Sequence, residues 1–113
     1  MGRKSRLKGK VGEREAAAEI RRLFRTEARR GQQYCGGDES PDVVSAIDGV
    51  HFEVKRRETF NVYAAIKQAG HDAGANLPVV LHRRNHKPWL AIVRLDDLPQ
   101  LTVQLYLTLM QNQ

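Results

Sequence analysis

The chain has 113 residues, 41% of them hydrophobic and 28% charged, which makes one folded domain with a single core and excludes both a disordered tail and a two-domain protein. A lone cysteine, Cys35, excludes an intramolecular disulfide and a cysteine zinc site, so a reducing, cytoplasmic setting is expected, and no run is apolar enough for a signal peptide or a membrane span. The net charge of +6 is local: residues 1–30 carry eleven Lys or Arg against four Glu and the rest eight against nine, the footprint of a chain that meets a polyanion, with a solubilising surface as the plain alternative.

In chain order, residues 1–10 (MGRKSRLKGK) lack apolar periodicity and read as a flexible basic arm, leaving 11–113 as the single domain. From about Val11 to Arg30, Ala16, Ala17, Ile20, Leu23 and Phe24 recur at helical spacing, and Gly31 is the expected stop. Gln32 to Cys35 reads as a short strand before the turn-rich Gly-Gly-Asp-Glu-Ser-Pro segment. Two β-rich runs, 42–47 and 50–55, flank Asp48-Gly49 and predict a hairpin with a two-residue type I′ turn. A helix is expected over Phe60 to Ala75, acting as a crossover to a second hairpin of Pro78–His82 and Trp89–Leu95 about the turn 83–88. From Asp96 to about Met110 leucines recur at helical spacing behind a capping Asp, with a strand over 101–107 as the alternative. This order predicts an α/β domain in which a mixed central sheet is flanked by helices.

The hairpin carries the chemistry. With a two-residue turn, Asp42 faces Lys55, Val44 faces Glu53 and Ser45 faces Phe52, so Val43, Ser45, Ile47, Val50, Phe52 and Val54 share the core face. The other face collects Asp42, His51, Glu53 and Lys55. Carboxylates on adjacent strands stand roughly 5–8 Å apart and can share a hard divalent cation such as Mg²⁺, with the Val54 carbonyl as an added ligand. Such a cation polarises a scissile phosphate and acidifies water, while Lys55 orients the nucleophile or balances developing charge.

Pro41-Asp42 followed by Glu53-Val54-Lys55 resembles the PD-(D/E)XK signature of restriction-endonuclease-like nucleases. The run Lys8-Gly9-Lys10-Val11-Gly12-Glu13-Arg14-Glu15 is similar to the start of the first helix in archaeal and phage Holliday-junction resolvases, and the resemblance spans roughly residues 8–70. It implies a restriction-endonuclease-like fold and a Mg²⁺-dependent endonuclease, with Mn²⁺ as a substitute, hydrolysing phosphodiesters in branched DNA in a prokaryotic cytoplasm or that of a phage host. Asp42, Glu53, Lys55 and Glu13 are then catalytic, and Asp42, Glu53, Val54 and Glu13 hold the metal. Helical spacing independently turns Glu13 towards the apolar face and groups Glu15 with Glu19 and Arg22 outside; a first-turn Glu favoured by the helix dipole is the plain alternative. The resolvases often carry a Ser before the PD; Ser40 and Ser45 are the nearest here, and neither takes that place clearly. Gln68 matches a position where related nucleases often have Gln or Lys.

Arg3, Lys4, Arg6, Lys8, Lys10, Arg14, Arg56 and Arg57 are the expected DNA contacts. His51 shares the strand face of Glu53 but reads as structural, His71, His82 and His86 lack metal-ligand spacing, Asp38 and Glu39 read as a solvated turn, and Trp89 reads as core or interface. No Walker loop, dinucleotide fingerprint or Ser-His-Asp order occurs. A four-way junction needs two coordinated cuts, so a homodimer through Leu101–Met110 is expected. The rivals are a nuclease of the same fold acting on nicks, flaps or duplex sites, and a non-catalytic nucleic-acid-binding module.

Overall fold

The computed structural model describes residues 3–31 and 42–112. Its elements are α1 (Arg3–Phe24), β1 (Ala28–Arg30), β2 (Val43–Ser45), β3 (Val50–Lys55), α2 (Val62–Ala73), β4 (Leu77–His82), β5 (Leu90–Ile92), a 3₁₀ turn (Leu95–Asp97) and α3 (Leu98–Gln111). The strands form one mixed sheet in the order β1-β2-β3-β4-β5, antiparallel except for the parallel pair β3 and β4. The chain is an α/β domain, with five strands and three helices among the described residues. None of those helices is long and apolar enough to cross a membrane.

Strand alternation sorts the layers. Val43 and Phe52, with Val79 and Leu81 of β4, pack against Ala16, Ala17 and Ile20 of α1 and Leu101 of α3. Val80 points the other way, onto Ala65 and Ala69 of α2. The crossover expected over 60–75 is α2. Asn61 caps it, its Oδ1 accepting from the Ala64 amide at 3.0 Å, and Gly74 ends it at φ 59°, a left-handed backbone suited to glycine. Returning through α2, the chain lays β4 beside β3 in parallel, as a right-sized helical connection permits.

The fold differs from the sequence reading at both ends of α1 and at the cap of α3. Helix α1 begins at Arg3, so the basic segment expected as an arm is helical, and it ends at Phe24 instead of Arg30. Arg25 turns the chain at φ 51°, and Ala28 to Arg30 form a strand against β2, with Arg21 donating to the Ala28 carbonyl at 2.6 Å. Glu-Ala-Arg-Arg is helix-favouring locally, and pairing with a distant strand overrides that preference. The strand expected at 32–35 lies outside the described residues. At the C-terminus the expected helix, not the alternative strand, holds over 101–107, and Asp97, not Asp96, occupies the N-cap without a capping bond.

Candidate active site

The hairpin of β2 and β3 forms, but its turn is longer than two residues. Val43 pairs with Phe52, two positions from the expected register, and Ala46 to Gly49 make a four-residue loop. Only Gly49, at φ 75°, takes a positive φ there, so the type I′ turn expected at Asp48-Gly49 is absent. A shift of two preserves the side-chain faces, whereas a shift of one would invert them. Asp42, one residue before Val43, therefore comes level with Glu53, one residue after Phe52, in place of Lys55. The Val54 amide donates to Asp42 Oδ2 at 2.8 Å and fixes that side chain across the strands. The contact is made by the amide of Val54, whereas the carbonyl is the group expected to face a metal.

Asp42 and Glu53 are 9% and 8% exposed, and this burial governs their chemistry. Loss of water pushes the Asp42 carboxyl up to about 7; the Val54 amide opposes the rise, and the neighbouring Glu53 and Glu13 carboxyls add to it. Burial also raises Glu13, opposed by Arg30 and reinforced by Glu53. Glu13 reaches this centre from α1, where its Oε2 pairs with Arg30 Nε at 2.6 Å. His51 Nε2 lies 2.8 Å from Glu53 Oε1, and the two are buried together.

An all-oxygen set of crowded acids is what a hard divalent cation relieves, and Mg²⁺ needs only one or two carboxylates besides water and phosphate. Asp42 and Glu53 fit that requirement. As the side chains stand, Arg30 occupies Glu13, and no group of three His, Cys, Asp or Glu among the described residues is arranged to hold a metal.

Lys55 ends β3 half-buried and forms no ion pair among the described residues. Lys10, Arg14 and Arg57 are exposed, while Arg3, Lys4, Arg6 and Lys8 belong to the first turns of α1. Arg56 departs from expectation. Its side chain is 12% exposed, wedged against Gly12 and 3.8 Å from Glu15, so it braces α1 against the end of β3. Glu15, expected outside with Glu19 and Arg22, instead accepts from Arg83 at 2.9 Å. The exposed Gln68 donates to Asp72 one turn later, and no contact ties it to the carboxylates among the described residues.

Sequence reasoning set aside His51 although alternation placed it beside Glu53. It had no signal for Arg30, which it assigned to a helix. No family model, no curated protein and no solved structure matches the chain.

Proposed function

We propose that this chain is a metal-dependent endodeoxyribonuclease of the restriction-endonuclease-like fold, hydrolysing phosphodiesters in branched DNA, most specifically a four-way junction. One observation carries the reading: the hairpin register sets Asp42 level with Glu53 in a buried site, with Glu13 near enough to perturb Asp42 and Lys55 on the same strand face as Glu53. Asp42 and Glu53 would hold Mg²⁺ or Mn²⁺, with Glu13 joining if it leaves Arg30. Bound there, the cation supplies Lewis acidity towards the scissile phosphate and lowers the pKa of water. Lys55 offers its ammonium to the attacking water or to the charge that builds on the phosphate. The Val54 amide keeps Asp42 in place, and His51 does the same for Glu53. Resolution of a junction requires two centres, so the reading includes a symmetric dimer.

A second reading, a nucleic-acid-binding module without catalysis, is favoured by the Arg30 pairing of Glu13. Cleavage of a synthetic four-way junction and of linear duplex in Mg²⁺, with wild type and Asp42→Ala side by side, separates the two. Expected are junction cutting by wild type and retained binding with cutting reduced by a factor of at least about 10² in the variant. An inactive wild type, or a variant that cuts as well, rejects the nuclease. Equal cutting of nicked, flapped or plain duplex moves the substrate from junctions to repair or restriction sites.

A further inference from the structure

Strands β3 and β4 run parallel with Lys55 beside His82, so the segments after them leave the sheet together, at the end where Lys55 stands. Four contacts bind these segments, one of them from Arg56 Nη1 to the Arg83 carbonyl at 3.5 Å. The Arg83 amide donates to the Lys55 carbonyl at 3.2 Å, His82 Nε2 lies 2.9 Å from the Arg57 carbonyl, and the Asn85 amide donates to Glu58 Oε2 at 2.9 Å. The turn from β4 to β5 is thus fixed to the catalytic strand.

Its cations divide into two kinds. Arg83 is structural, its Nε donating to the Lys87 carbonyl at 2.7 Å and its Nη1 to Glu15 of α1 at 2.9 Å. The Lys87 amide closes the turn onto the Arg84 carbonyl at 3.2 Å, and His86 holds a left-handed φ of 61° that a non-glycine residue adopts at a cost. Arg84 and Lys87 are exposed, and neither side chain forms an ion pair among the described residues. Arg57, whose carbonyl meets the His82 ring, is exposed as well. A turn fastened to the segment that follows β3, the strand that carries Glu53, and leaving two cations unneutralised, is arranged to offer those cations to backbone phosphates.

We infer that the β4–β5 turn is a phosphate-contacting element in which Arg84 and Lys87 bind the DNA backbone flanking the Asp42 and Glu53 centre. This rests on the nuclease reading for its position relative to the scissile bond, but its test reads binding alone. Fluorescence anisotropy with a labelled four-way junction, in EDTA over a range of KCl concentrations, compares wild type, Arg84→Ala/Lys87→Ala and Lys67→Ala/Arg94→Ala. The last pair removes the same charge from α2 and from the far end of β5. Two lost phosphate contacts predict a roughly tenfold weaker Kd at moderate salt and a plot of log Kd against log salt shallower by about 2, with Arg84→Lys/Lys87→Arg restoring both. The control pair should change the slope by less than half as much.

An unchanged slope, or one matched by the control pair, overturns the inference. A wild type that binds no DNA overturns it together with the nuclease reading. A wild type that binds but never cuts in Mg²⁺, with the slope still reduced in the turn variant, sinks catalysis and upholds the contact.

Discussion

Burial holds the Asp42 carboxyl at about 7, far above its ordinary value of 3.8, and such a shift is also a statement about stability. The folded chain binds this proton more tightly than the unfolded chain does. The associated stability is therefore fully present below about pH 4 and is lost as pH rises through about 7. A shift of this size corresponds to at most about 4 kcal/mol. In EDTA, wild type should lose several degrees of melting temperature between pH 5 and pH 8 relative to Asp42→Asn. That variant keeps an oxygen for the Val54 amide and offers an amide donor to Glu53. Melts followed by circular dichroism check this, and parallel curves for the two proteins would show that the crowded acids are not strained. Adding Mg²⁺ at pH 8 should raise the wild-type melting temperature and leave the variant nearly unmoved, because ligation favours the ionised pair.

Helix α1 meets the end of β3 at a point where a single methyl group matters. A Cβ on Gly12 would lie 2.5 Å from Arg56 Cβ, an atom fixed to the backbone just beyond Lys55, whereas one on Gly9 would meet nothing within 4 Å. Gly9→Ala should therefore gain about 0.5–1 kcal/mol from helix propensity, while Gly12→Ala should lose about 1–3 kcal/mol by overpacking, both read from denaturant midpoints. Destabilisation at residue 9 or gain at residue 12 would mean that α1 does not cross the end of β3 in this way. The same helix marks the limit of what the sequence made legible. Local patterns were readable: alternation placed β2 and β3, leucine and alanine spacing placed α2 and α3, and apolar runs placed β4 and β5. Strand β1 was not, because Glu27 to Arg30 favour a helix until β2 supplies a pairing partner. The turn at Asp48-Gly49 was misjudged in length, since Asp-Gly marks a bend without counting its residues. The candidate site survived that error because a two-residue slip keeps the polar face intact and only exchanges Lys55 for Glu53 opposite Asp42.

At the scale of the whole molecule, charge and apolar surface are segregated. The first 30 residues carry the basic excess, while α3 contains no charged residue at all. Leu101, expected at a dimer interface, is instead in the core, but Val103, Tyr106, Leu107 and Met110 recur at helical spacing and are about half exposed. An uncharged apolar face is where two chains of net charge +6 meet with least repulsion, and a twofold axis through it would bury the same residues on both partners. Sedimentation at micromolar concentration should give a dimer, with Leu107→Glu shifting it to monomer by placing two like charges in a water-poor contact. The monomeric variant should retain Asp42-dependent nicking of a junction strand but lose paired cuts. A wild type that sediments only as monomer would remove the junction as substrate while leaving hydrolysis at a single centre open. That outcome turns on the outer face of α3, whereas hydrolysis turns on the hairpin register, so each half of the reading can fail without the other.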